Sequence, residues 1–350
     1  MDAPPPIRGR GTSANPANRF EKIELAWDPD EFDPDAPAPK TEFFWDDTKD
    51  IISWNNSPDI PFDAAINPYR GCEHGCVYCY ARPFHEYLGY SAGLDFETKI
   101  HVKRNAAELL RRQFMKPSWE PQGVMMSGVT DCYQPVEAKL KITRSLLEVF
   151  AEFRNPVGII TKNALVTRDI DLLGELAKHA AAHVAVSITT LDESIARKLE
   201  PRTSTIAKRF DAVKQLAEAG VPTAVMLAPI IPGLTDSDIP GLVERAANAG
   251  AKRVAMLPVR LPHAVGPMFE QWLHDHFPGH AQKVLGRIRD MRGGELNDGR
   301  FGKRMQGEGK QAEHLHAMFK LAVRRHGLNT ERLKVSAEAF RRPGATKEMF

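Results

Sequence analysis

Residues 71–80 read GCEHGCVYCY, with cysteines at 72, 76 and 79 in the spacing Cys-x3-Cys-x2-Cys. One short loop can wrap three thiolates at that spacing around a single centre, and soft thiolates select zinc, Cu(I) or iron–sulfur. Four cysteines in 350 residues are too few for a disulfide scaffold, so the clustered three point to metal in a reducing compartment. An apolar run at 64–69 leads into this loop, and the segments beyond the loop set the fold.

Short runs rich in β-branched residues at 64–69, 123–129, 157–161, 183–189, 222–229 and 253–259 read as strands. Between them, segments at 106–114, 142–153, 169–179, 209–219 and 239–249 carry apolar residues at helical spacing. Gly220 and Gly250 end two of these helices where a left-handed C-cap is wanted. Six βα units, not eight, predict an α/β fold built as a partial (β/α)6 TIM-type barrel. Such a barrel keeps its chemistry at the C-terminal strand ends. The polar stretches 70–79, 127–131, 161–163 and 187–190 fall there.

Three units are expected along the chain: an extended or disordered arm at 1–45, the barrel at 46–265, and a helical extension at 266–350. The arm contains APPP, RGRG and DPDEFDPDAPAP, a composition that does not build a packed element. The extension has helical segments at 268–277, 281–292 and 311–325, expected to pack across the open side of the barrel. Its five histidines, at 274, 276, 280, 314 and 316, do not share one helix face and do not make a second metal site.

The net charge of +2 conceals a gradient: residues 21–66 hold 3 Lys/Arg against 13 Asp/Glu, and 281–350 hold 16 against 8. A basic tail suits a polyanionic partner such as DNA, although a solvated helical face gives the same run. No stretch approaches the roughly 18–20 apolar residues of a membrane span, and MDAPPPIRGRG lacks the apolar core of a signal peptide. A cytoplasmic monomer is the expectation.

Three thiolates leave one iron of a [4Fe-4S] cluster open. That iron can chelate the amino and carboxylate groups of S-adenosylmethionine (SAM), so that one electron cleaves it to methionine and a 5'-deoxyadenosyl radical. The competing reading is a structural zinc ion with His74, His85 or Cys132 as fourth ligand, in a metal-stabilised nucleic-acid-binding protein. Structural zinc, however, pairs its ligands as two short knuckles.

The loop resembles the radical SAM superfamily, which carries Cys-x3-Cys-x2-Cys with an aromatic, here Tyr78, before the last cysteine. More narrowly, CVYCY at 76–80, SGVTDCYQPVE at 127–137, IITKN at 159–163 and SITTLDESIARKLEPR at 187–202 look like the spore photoproduct lyase-like group. The likeness covers about 67–262. It implies the radical SAM barrel, a [4Fe-4S] cluster on Cys72, Cys76 and Cys79, bound SAM, and a reductant such as flavodoxin or ferredoxin.

By the same resemblance Tyr78 lies near the adenine, and Ser127, Thr130 and Asp131 near the methionyl amino group. Lys162 faces the SAM carboxylate with Ser187 assisting. Arg202 is a further carboxylate clamp, or else a bridge to Glu200 or Glu193. Tyr78 and Tyr80 relay hydrogen atoms. The implied substrate is a DNA lesion such as a thymine photoproduct; a peptide, RNA or small molecule is the alternative. One departure stands out: the lyase's hydrogen-donor cysteine aligns with Gly128. Cys132, four residues on, is then the catalytic candidate, or a small buried side chain.

Overall fold

A computed structural model describes residues 6–21, 38–331, 333 and 335–344. Among the described residues ten strands occur in chain order: β1 (Glu42–Trp45), β2 (Ile52–Trp54), β3 (Ala64–Ile66), β4 (Tyr69–Arg70), β5 (Lys99–Val102), β6 (Val124–Met126), β7 (Val157–Thr161), β8 (Ala182–Ser187), β9 (Thr223–Ile230) and β10 (Arg253–Pro258). The main sheet has the order β10-β9-β8-β7-β6-β3-β2. Its six strands from β3 to β10 pair in parallel along that order, and β2 adds an antiparallel edge beside β3. This is the six-unit parallel arrangement expected from the alternation of strands and helices.

Parallel strands are covered on both faces and therefore read as apolar runs. In β8, five of the six residues, AHVAVS, are buried. The helices are α1 (Leu94–Thr98), α2 (Ala106–Met115), α3 (Glu137–Leu140), α4 (Ile142–Phe153), α5 (Ile170–Ala177), α6 (Glu193–Leu199), α7 (Ile206–Glu218), α8 (Ile239–Asn248), α9 (Val265–His276), α10 (Pro278–Met291) and α11 (Gly309–Arg325). In α4, Leu146, Leu147, Phe150 and Phe153 share the buried face. Phe114 meets Phe150 edge-on at 5.5 Å and Phe153 at 5.5 Å. Each such buried ring contributes about 1.5–3 kcal/mol. Among the described residues, no helix is long and apolar enough to cross a membrane.

Three features depart from expectation. The run 64–69 is not one strand. It breaks at Asn67 and Pro68, where proline cannot donate to a ladder, and continues as β4 in a second sheet of order β1-β5-β4. The freed Asn67 side chain accepts from Val129 N (2.8 Å) and Thr130 N (3.3 Å), which pins the loop after β6. Secondly, α6 was unforeseen; Asp192 caps it, accepting from Ser194 N (2.7 Å) and Ile195 N (3.1 Å).

Thirdly, the described part of the arm is extended but held down. Leu94 N donates to Ala14 O at 3.1 Å, Asn18 Nδ2 donates to Glu86 O at 2.9 Å, and Arg19 pairs with Glu86 at 2.6 Å. Its end, β1, is a strand lying parallel to β5. Proline-rich composition denies the arm a ladder of its own, yet its backbone groups find partners on neighbouring loops. Most of DPDEFDPDAPAP lies outside the described residues. In the extension, α9 and α10 pack on the cysteine loop, and α11 packs on α8. The loop 293–308 links the two ends of the sheet: Arg292 Nη2 donates to Val259 O (2.7 Å) just past β10, while Arg304 pairs with Asp59 (2.6 Å) in the β2–β3 turn.

Candidate functional site

The three cysteines occupy the loop that leaves β4, and the loop is fastened from several sides. Cys72 N donates to Phe96 O (2.8 Å), Val77 N to Leu199 O (3.1 Å) and Cys79 N to Cys76 O (3.2 Å). Beneath it lies Arg82, fully buried. Its Nε donates to Cys76 O (3.0 Å), its Nη1 to Gly93 O (2.9 Å), and its Nη2 to Gly75 O (3.3 Å) and Glu97 Oε1 (2.5 Å). Glu97, also fully buried, accepts from Gly11 N with its other oxygen (3.0 Å). The arm reaches this spot only because residue 11 is glycine: a Cβ there would stand 1.7 Å from Gly75 O. Arg82, Glu97 and Gly11 were missed in the sequence. Arg82 could have been suspected from its place three residues past the last cysteine, but nothing local marks its partner.

Burial raises the pKa of all three thiols, and the neighbouring sulfurs raise Cys72 and Cys76 further. Thiols carried on one short loop, with little water to stabilise a thiolate, fit a metal centre that supplies the compensating charge. Among the described residues, no three His, Cys, Asp or Glu side chains converge around one ion. Three soft thiolates on one short loop are a donor set suited to an iron–sulfur cluster.

Of the three residues considered as a fourth zinc ligand, His74 and Cys132 are engaged elsewhere, while His85 keeps a buried Nε2 without a hydrogen-bond partner. His74 lies between Asp131 Oδ2 (3.4 Å from Nδ1) and Asn163 Nδ2 (3.4 Å from Nε2). Asn163 Oδ1 already accepts from Leu165 N and Ser204, so its Nδ2 donates to Nε2, and the imidazole proton sits on Nδ1 toward Asp131. His85 stacks on Tyr90 at 5.1 Å, its pKa lowered to about 4 by burial and next by His101. Cys132 is fully buried in the main core, bonded through its backbone to Ser127 Oγ (2.8 Å) and Thr143 Oγ1 (2.5 Å). The Cys132 side chain thus lies packed in the core.

The predicted strand-end residues do gather, but several are committed to one another. Ser127 has φ +75° and carries the turn after β6. Thr130 Oγ1 donates to Tyr69 O (2.7 Å). Asp131 accepts from Thr161 Oγ1, Tyr133 N and Lys162 N, each at 2.8 Å. Burial would raise the Asp131 pKa, but His74 and these donors outweigh it and hold it low. Ser187, at the end of β8, is buried, and its carbonyl accepts from Arg209 Nη1 (3.1 Å).

Glu200, unforeseen as a centre, organises the rest. It accepts from Tyr78 Oη and from Thr189 Oγ1 (2.6 Å), and lies 3.3 Å from Lys162 Nζ. Arg209 Nη2 stands 2.6 Å from its Oε2 as an ion pair without hydrogen-bond alignment. Burial pushes the Glu200 pKa up; Arg209, Lys162, Thr189 and Tyr78 together pull it well below the carboxylate range. Arg202 bridges neither Glu200 nor Glu193. It meets Glu73 Oε1 at 3.1 Å and Thr41 Oγ1 at 3.2 Å, since Glu200 is already taken by Arg209 and Glu193 by Arg197.

The two tyrosines of the motif differ. Tyr78 is buried with its hydroxyl on Glu200, whereas Tyr80 is 43% exposed and donates to Gly128 O at 2.8 Å.

Residues 66–246 match the family model of the radical SAM superfamily. A protein of Mycobacterium tuberculosis with no stated activity is 35% identical over 67% of this chain and 69% of its own. A Pseudomonas phage M6 protein named radical SAM Nα-GlyT isomerase is 28% identical over 64% of this chain and 45% of its own. Among solved structures, a spore photoproduct lyase mutant with bound AdoMet and dinucleoside spore photoproduct shares the fold, with TM-score 0.55 and 17% identity over 77% of this chain and 76% of its own. The pinned three-cysteine loop at the C-terminal ends of six parallel strands and the family match together establish that the chain belongs to the radical SAM superfamily, SAM-binding iron–sulfur enzymes that work by radical chemistry.

Proposed function

We propose that Cys72, Cys76 and Cys79 hold a [4Fe-4S] cluster on which SAM is reductively cleaved, and that the chain abstracts hydrogen from a substrate bound at the barrel mouth. The observation that carries this reading is three thiols on one pinned loop, two of them buried and the third partly so, with His74 and Cys132 engaged elsewhere and His85 stacked on Tyr90. When bound, the cluster supplies one electron, from a flavodoxin- or ferredoxin-like donor, and SAM then yields methionine and a 5'-deoxyadenosyl radical.

The protein's part is to orient and to exclude. Lys162, steadied by Glu200 and Ala228 O (2.7 Å), is a cation at the strand ends for the SAM carboxylate, and Ser187 at the end of β8 assists. The turn Ser127–Thr130–Asp131 takes the amino group, shaped by its internal bonds. Tyr78 shields the adenine side, and Arg202, on Glu73, borders the loop from outside. Tyr80 has its hydroxyl on the carbonyl of Gly128, the position aligned with the lyase's cysteine, and so is the hydrogen donor to a substrate radical.

A DNA photolesion is the substrate placed first, supported by the shared fold with spore photoproduct lyase. A radical rearrangement of another substrate is the second reading, favoured by Gly128 and by the phage relative named as an isomerase. The test is anaerobic reconstitution with iron and sulfide, dithionite reduction and assay of 5'-deoxyadenosine. The native chain is expected to form it and Cys76→Ala to form none; stoichiometric zinc without SAM cleavage overturns the reading. Thymine repair in ultraviolet-irradiated DNA then decides between the substrates.

A further inference from the structure

Four arginines crowd the side of the barrel mouth bordered by the loop 293–308, and their partners can be followed one by one. Arg304 pairs with Asp59 (2.6 Å), and Arg300 with Asp298 (2.6 Å) and Glu308 (2.7 Å). Arg292 is spent on carbonyl groups, Val259 O at 2.7 Å and Arg304 O at 2.8 Å. Arg260, two residues past β10, is different. Among the described residues no carboxylate stands within ion-pairing distance of it; Nη1 faces Met305 Sδ at 2.8 Å, and Nε is buried without an acceptor. Its guanidinium lies 5.4 Å from the centre of the Tyr80 ring.

A guanidinium stacked on one face and tied at Nη1 keeps its Nε–Nη2 edge, the pair of donors that matches an oxyanion bidentately. The surroundings demand such a guest. Burial first, and then Arg304, disfavours the charge on Arg260, with Tyr80 and Asp59 opposing; burial and then Arg260 do the same to Arg292, with Asp298 opposing. Crowding like charges beside a buried, unmade hydrogen bond is unfavourable until an anion enters. The contacts around Arg260 also close on the proposed reaction site: Tyr80 bonds Gly128 O, and a Cβ on Gly128 would lie 3.9 Å from Phe62.

We infer that Arg260 binds a phosphate group of the substrate through its Nε–Nη2 edge, beside Tyr80. A phosphate fits because the nearby carboxylates are already engaged, Asp59 by Arg304 and Asp298 by Arg300, which leaves Arg260 without a bonded anion, and phosphate oxygens accept bidentately from a guanidinium. The phosphate can belong to a nucleic-acid strand or to a small phosphorylated molecule; Phe301, 61% exposed with Arg304 4.6 Å from its ring centre, offers a stacking face to the former. The inference rests on the proposed placement of the reaction at this mouth.

The test is calorimetric titration of the reconstituted protein, with SAM present, using thymidine 5'-monophosphate, thymidine, glutarate and a single-stranded DNA decamer as probes. The monophosphate or the decamer is expected to bind at least tenfold more tightly than thymidine. Arg260→Met should lose at least tenfold of that affinity, and Arg260→Lys, which keeps the charge without the fork, a smaller factor. Arg245→Gln on α8 serves as the control that leaves binding unchanged. Thermal unfolding of each variant separates lost binding from lost folding, and Arg260→Lys remains informative if the methionine variant does not fold. Equal affinity in the native chain and a folded Arg260→Met overturns the inference, as does Arg260-dependent binding of glutarate but of neither phosphate probe. The deoxyadenosine assay on the native chain without any probe reads the radical chemistry separately, so failure of one is distinguishable from failure of the other.

Discussion

Arg82 and Arg260 both neighbour the cysteine loop and are treated in opposite ways. Arg82 is fully buried, its nitrogens donate to the carbonyls around Cys76 and to a fully buried carboxylate, and the region behind the cysteines is closed by it. Arg260 borders the mouth with sulfur and an aromatic ring for company and one donor unmade. Buried charges that are fully paired hold a scaffold, whereas a buried donor left unmade is costly until a partner meets it. The same division separates Tyr78, tied to Glu200, from Tyr80, which opens to the mouth.

The largest effect expected from breaking the closed side comes from Glu97→Gln. Removing one partner of a buried pair costs about 3–5 kcal/mol. Urea unfolding should show a loss of that order, with reduced iron retention after reconstitution; a loss under about 1 kcal/mol would mean that the Arg82–Glu97 pair does not hold the loop.

His85, on the same side, makes stability depend on pH. Its pKa is lowered from 6.5 to about 4 in the fold, so the folded protein takes up this proton less readily than the unfolded chain. Its contribution is therefore present above about pH 6.5 and is lost as the pH falls toward 4, by about 3 kcal/mol in all. Denaturant midpoints across that window should fall less steeply in His85→Phe than in the native chain; parallel slopes would remove His85 as the source.

Tyr80→Phe probes the open side and should change stability least, by about 1 kcal/mol or less, since one hydroxyl-to-carbonyl bond is lost. The same variant should lower product yield per deoxyadenosine formed. Unchanged yield would take Tyr80 out of the hydrogen transfer.

Much of the frame was legible. The β-branched runs and the helical period locate the six parallel strands because each reports the burial of its own face. The three cysteines were legible because one loop carries them. The break at Asn67–Pro68 could have been read from the proline, whereas the pairing of β4 with β5 could not, because a two-residue strand has no period to detect.

The sequence by itself determined the order of the six parallel strands and of most helices between them, the clustering and spacing of three cysteines, and hence the kind of chemistry the chain's family performs. Only the tertiary structure decided which charges meet. Glu200 goes to Arg209, Lys162 and Tyr78 rather than to Arg202, Cys132 joins the core rather than the site, and Gly11 reaches a carboxylate 86 positions away. The physical reason is that periodicity records whether a position is buried, while a charge's partner is set by the close approach of segments distant in the chain, of which local sequence carries no imprint.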